Sequence, residues 1–158
     1  MANKYPFSPK SNIKLEIGEF WAIKLSNGKY GCGVILDLPS KEDKNTRGFF
    51  IGLLNWVGLE KPSPLDLETT EIRLLEQGEA HIKTMTKRDE QIIGKINLDK
   101  TNITIPFLLD CTKYGLSSYL VKGYKVLQKA SRQDHDTFVT QVTWGYNVIN
   151  LLAEKYLV

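Results

Sequence analysis

The chain is poor in the residues that most often carry chemistry. Its 158 residues include two cysteines and two histidines. Cys32 and Cys111 stand in unrelated contexts at no metal-ligand spacing, which excludes a zinc module or a disulfide framework as the basis of the fold. Both are expected to be packed, reduced thiols, which fits a cytoplasmic chain. No apolar run approaches the ~20 residues of a membrane span. The opening Met1-Ala2-Asn3-Lys4-Tyr5-Pro6 lacks the apolar stretch of a secretory leader. No P-loop, dinucleotide fingerprint, nucleophile elbow or His-Glu-x-x-His motif occurs. Internal repeats and low-complexity tracts are missing too. Localisation is therefore expected to be cytoplasmic, with no cofactor and no membrane partner.

What is present suffices for one core. Hydrophobic residues make up 42% and charged residues 25%, as in an ordinary globular domain. Residues 1–12, with Pro6, Ser8, Pro9, Ser11 and Asn12, read as a flexible N-terminal arm, leaving 13–158 as a single α+β domain. Net charge is +3, too small and too dispersed to mark a dedicated nucleic-acid binder. One segment departs from the basic trend. Residues 60–79 hold Lys61 and Arg73 against Glu60, Asp66, Glu68, Glu71, Glu76 and Glu79, a balance of −4.

The clearest local signal is Asn27-Gly28 between two apolar runs. That dipeptide favours a type I′ turn, predicting a hairpin with strands near 18–26 and 29–37. The apolar run 47–57 predicts a third strand buried on both faces, completing an antiparallel meander. Pro62 and Pro64 mark a break, after which Asp66 is placed to cap a helix over 67–77 that ends near Gly78. Strands are expected over 80–86 and 91–98, joined at 87–90. A short edge piece is expected at 102–107 and another strand at 119–127. Phe138, Val142, Ile149, Leu152 and Tyr156 recur at helical spacing, predicting a helix within 134–156. Its first part, 137–143, is β-branched enough to be a strand. The fold class is α+β: a mainly antiparallel, strongly curved or barrel-like sheet with a C-terminal helix packed against it.

Catalytic constellations are weak. Cys111, His135 and a neighbouring aspartate could form a nucleophile, base and orienter, but nothing in their spacing asks for it. Asp134-His135-Asp136 is a poor metal site, since adjacent side chains diverge on helix or strand alike. Gly31-Cys32-Gly33 reads as small residues packed within a strand. Trp56 and Trp144 are expected in packing roles, and of the adjacent Phe20 and Trp21 one is expected inside. No catalytic or metal-binding residue is assigned.

The hairpin resembles the immunity protein 26 family of bacterial polymorphic-toxin systems. The matching residues are Gly18, Glu19, Trp21, Ala22, Ile23, Leu25, Asn27, Gly28, Tyr30, Gly31, Gly33 and Val34, with Lys24 departing where proline is frequent. The resemblance implies a non-enzymatic cytoplasmic protein that binds and neutralises a cognate toxin domain, with no cofactor. If that toxin is a basic nuclease, carboxylates are the natural counterpart. The partner-binding candidates are Glu68, Glu71, Glu76 and Glu79. The competing reading is a nucleic-acid-binding β-barrel module, for which Lys24 and Lys29 are the only cations near the hairpin aromatics.

Overall fold

The computed structural model describes residues 11–88, 90–111 and 118–158. Its centre is the expected meander of β1 (Glu19–Lys24), β2 (Tyr30–Asp37) and β3 (Gly48–Leu54), paired antiparallel in chain order. The first turn differs from a type I′ turn. Pairing of Lys24 with Tyr30 leaves an odd-numbered loop. The Leu25 carbonyl accepts from Gly28 N–H, and Leu25 N–H donates to the Lys29 carbonyl. A β-turn through Ser26 and Asn27 is thus followed by Gly28 at φ +84°, the left-handed step that closes a three-residue hairpin loop.

β3 is buried at every position from Gly48 to Leu54. Covering both faces of the sheet explains this. On one face Trp21, Ile23, Ile35, Phe49, Ile51 and Leu53 pack with Ile149 and Ala153 of the C-terminal helix α4 (Val148–Leu157). On the other, Phe20, Val34, Leu36, Phe50 and Leu54 pack with Leu67, Ile103, Leu108 and Val121. Adjacent Phe20 and Trp21 are consequently both buried, where a sheet with one wet face would have exposed one. Each such side chain contributes roughly 1.5–3 kcal/mol on leaving water.

The predicted helix over 67–77 is instead a short helix followed by a strand. α1 (Pro64–Thr69) starts at Ser63, not Asp66. Ser63 Oγ accepts from Asp66 N–H and the Asp66 carboxylate accepts from Ser63 N–H, closing a capping box. Thr70 is already extended, and β4 (Leu74–His81) pairs antiparallel with β3 along its length. The open edge of β3 overrode the helical preference of Leu74, Leu75 and Glu76. After β4 the expected strand 80–86 turns into α2 (Lys83–Thr86), and of 91–98 Gly94–Lys95 forms a strand, β5 beside β1.

A second antiparallel sheet contains β6 (Phe107–Asp110), β7 (Tyr119–Lys122) and β8 (Lys125–Lys129). The predicted single strand 119–127 is thus a hairpin, turned at Gly123 with φ +62°. The predicted helix 134–156 divides into α3 (Arg132–Thr137), β9 (Thr143–Trp144) and α4. Thr137, Val139, Thr140, Val142 and Thr143 are the β-branched residues that part them. β9 runs parallel to β4. The larger sheet therefore has the order β5-β1-β2-β3-β4-β9 and is open, with β5 and β9 at its two edges. The architecture is α+β, mostly antiparallel, with the C-terminal helix packed on the sheet. Residues 1–10 of the expected arm lie outside the described residues. Asn12 belongs to the fold: its N–H reaches the Thr46 carbonyl and its amide the carbonyls of Asn45 and Gly48.

Glycines seat the large side chains. A Cβ on Gly33 would lie on the Trp21 indole, and one on Gly78 would lie 2.6 Å from Trp144. Gly31 leaves room for Leu157 of α4. Gly33→Ala is expected to lose about 1–3 kcal/mol by overpacking a rigid ring. Lys24→Ala, exposed in the same hairpin, is expected to change stability by less than about 0.5 kcal/mol. Urea denaturation of the two variants measures the contrast.

Candidate functional site

The structure separates the four candidate carboxylates. Glu68 on α1 and Glu71 in the connection to β4 are exposed. Glu76 and Glu79 are half-buried on β4, three residues apart and hence on opposite faces. Glu76 lies opposite Leu53, on the α4 side, where it accepts a 2.8 Å hydrogen bond from Tyr156 O–H. That bond raises the Tyr156 pKa. Glu79 lies opposite Phe50, facing the second sheet. Both are tied to the packing of other elements.

The exposed pair belongs to a corner built around the break. Tyr30 and Gly58 exchange backbone hydrogen bonds of 2.9 and 3.0 Å, pinning the Trp56–Gly58 segment to the start of β2. Asn55 holds the other side: its N–H reaches the Arg73 carbonyl and its side-chain oxygen accepts from Arg73 N–H at 2.9 Å. Between these anchors Glu60, Glu68 and Glu71 stand in solvent, and none of them forms an ion pair among the described residues. Leu59 and Leu65 are 76% and 66% exposed in the same segment. Leu65 and Glu68 share a face of α1, one turn apart. The sequence signal for these two leucines is apolar residues inside a polar, proline-marked break. Charge counting alone passes over it.

Where the two sheets meet, the turn of the β7–β8 hairpin rests on Asp37. The Tyr124 N–H donates to its carboxylate at 2.8 Å, and Gly123 has no room for a Cβ against it. The Tyr124 hydroxyl is shut from solvent beside Glu79 and makes no hydrogen bond of good geometry. Burial, then the Glu79 and Asp37 carboxylates, push its pKa well above the ordinary tyrosine value.

The other reactive groups do not converge. Cys32 is fully buried, and burial alone drives its thiol far above the ordinary range, the reverse of an activated nucleophile. Half-buried Cys111 accepts a 3.4 Å contact from Ser118 O–H. His135 is exposed on α3, where Asp134 serves its own helix: hydrogen bonds from Ser131 hold its carboxyl below the usual range. No group of three or more metal-binding side chains occurs among the described residues. A recess of about 270 Å³ is lined by Arg47, His81, Lys83, Thr86 and Lys87. Partial burial, then Lys83 and Arg47, lower the His81 pKa, while its Nδ1 accepts from Lys83 N–H at 3.0 Å.

Two tests follow from the buried groups. Cys111→Ser protein, which keeps Cys32, is expected to show no reaction with Ellman's reagent until denaturant is added. An immediate native-state reaction contradicts the burial of Cys32. Tyr124 is protonated in the fold but ionises near pH 10.0 when unfolded. Its raised pKa therefore contributes stability that is complete below pH 10.0 and declines above it. Cys32 adds a decline of the same sign from pH 9.0 upward. Melting temperatures from pH 8 to about 11 are expected to fall less steeply for Tyr124→Phe than for the parent chain.

No family model, curated protein or solved structure matches this chain.

Proposed function

We propose that this chain is an immunity-type protein that binds and neutralises a cognate bacterial toxin domain by protein–protein contact, without catalysing a reaction. The observation that carries the proposal is the exposed corner of Glu60, Glu68 and Glu71 around Leu59 and Leu65, fixed to the hairpin that resembles the immunity protein 26 family. Leucines that lose water on contact supply affinity, and a rim of carboxylates steers a basic partner and helps select it. A toxin domain with a basic cleft, such as a nuclease, is the matching chemistry. Such neutralisation takes place in the cytoplasm. Among the described residues no helix is long and apolar enough to cross a membrane.

The reading is tested by co-expression with a toxin encoded by the neighbouring reading frame. Restored growth and a co-purifying complex are the expected results; toxicity unchanged and no complex would overturn it. Within such a complex, the triple variant Glu60→Lys, Glu68→Lys, Glu71→Lys is expected to associate more than about tenfold more slowly at low salt. Leu65→Ala is expected to speed dissociation. Glu76→Gln is expected to leave the association rate unchanged, because its carboxylate is engaged by Tyr156. Unchanged kinetics in a folded triple variant remove the corner from the interface.

The basic recess at Arg47, His81, Lys83 and Lys87 favours the second reading, nucleic-acid binding. Retention on immobilised RNA at about 150 mM salt, lost on Arg47→Ala, is the outcome that supports it over the first.

A further inference from the structure

The basic recess lies at the end of β4, while the acidic corner adjoins the start of that strand. Its frame is backbone. Gly48 at the start of β3 pairs with His81 at the end of β4, and Ile82 N–H donates to the Arg47 carbonyl at 2.8 Å. The chain then turns into α2, where Thr86 N–H reaches the Ile82 carbonyl and Lys87 N–H the Lys83 carbonyl. Lys83 and Lys87 are therefore neighbours, one helical turn apart. Two strand ends and one turn of helix thus bring Arg47, His81, Lys83 and Lys87 to a single recess of about 270 Å³.

Three formal cations meet there, and no carboxylate of the described residues lines the recess. Arg47, Lys83 and Lys87 form no ion pair among the described residues. Lys87 Nζ instead stands 4.9 Å from the centre of the Tyr146 ring. His81 adds a neutral donor. Its Nδ1 accepts from Lys83 N–H at 3.0 Å, which puts the ring proton on Nε2. Partial burial, then Lys83 and Arg47, lower its pKa, so the ring is uncharged at neutral pH inside a positive field.

We propose that this recess binds the terminal phosphate of a phosphomonoester. A monoester carries close to two negative charges at neutral pH and three strong acceptor oxygens. Guanidinium, ammonium and imidazole N–H groups are the matching donors, and the charged ones give the shorter and stronger hydrogen bonds. A polynucleotide backbone asks for something else, a groove of cations that tracks successive singly charged phosphates. Here the cations gather around one point. The site holds whether or not the chain neutralises a toxin, and it narrows the ligand of the recess from nucleic acid at large to a terminal phosphate.

The chain has two histidines, and His135, exposed on α3 beside Asp134 and Asp136, serves as the control. Inorganic phosphate is added at about pH 7.5, with ionic strength held near 0.15 M by chloride, and the imidazole protons are followed by NMR. His81 is expected to shift saturably and His135 to stay in place. In saturating phosphate the His81 pKa is expected to rise by about one unit or more, because an anion beside it favours the imidazolium. Lys83→Ala and Arg47→Ala, both at exposed positions, are each expected to weaken phosphate binding about tenfold with little change in melting temperature. A 5′-phosphorylated octaribonucleotide is expected to shift His81 at concentrations where its hydroxyl-ended counterpart does not. Tighter binding of that oligonucleotide than of inorganic phosphate assigns a chain end as the ligand, and equal binding assigns a free small ester. A His81 shift that chloride reproduces, or that survives Arg47→Ala and Lys83→Ala combined, overturns the proposal. Equal binding of the two oligonucleotides overturns the monoester in favour of a polynucleotide backbone.

Discussion

Burial of β3 on both faces is the constraint on which the other elements depend. A strand reading Gly-Phe-Phe-Ile-Gly-Leu-Leu has no side to give to water, so one layer of cover is insufficient. α4 supplies cover on one face. On the other, α1, the 102–105 segment and the second sheet supply it together. Neighbouring strands inherit the requirement: β2 is likewise buried from Gly31 to Leu36. The glycines on these strands then have a packing reason, because two covering layers press bulky side chains close to the backbone. Gly33 receives Trp21, Gly78 receives Trp144 and Gly31 receives Leu157.

This arrangement moves function to the periphery. Side chains at the centre of the sheet are committed to packing, including the one thiol that lies there. Polar groups at the junctions are committed as well, with Asp37 under the Gly123 turn and Glu76 beneath Tyr156. Among the described residues, the acidic corner between Trp56 and β4 and the basic recess beside α2 stay open to a partner. They differ in chemistry: carboxylates around leucines, and cations around a recess. A protein that works by binding needs such surfaces more than it needs a convergent cluster, and each is held by backbone hydrogen bonds to the main sheet.

Much of the first half was legible. Asn27-Gly28 announced the hairpin, and the run at 47–57 announced a doubly buried strand. The loop type was not legible, because an Asn-Gly pair serves either turn and the strand register decides between them. The acidic segment was visible as composition but not as a surface. Glu68, Glu71 and Glu76 fall within the helix expected over 67–77, with Glu79 just past its end. Once β3 recruited Leu74–His81, alternation sent Glu76 and Glu79 to opposite faces. The C-terminal part behaved alike. Helical spacing correctly located α4, but the β-branched residues before it became an extended segment bonded to both β6 and β4.

The sequence by itself determined what is local: the Ser63–Asp66 capping box, the left-handed glycines in the turns, the apolar run of β3 and the helix at the end of the chain. These depend on steric limits and hydrogen bonds that span only a few residues. The tertiary structure decided which edges were paired, which faces were covered and which carboxylates stayed in water. Those outcomes depend on partners distant along the chain. A residue such as Glu76 carries no local mark that Tyr156, eighty residues later, will donate a hydrogen bond to its carboxylate.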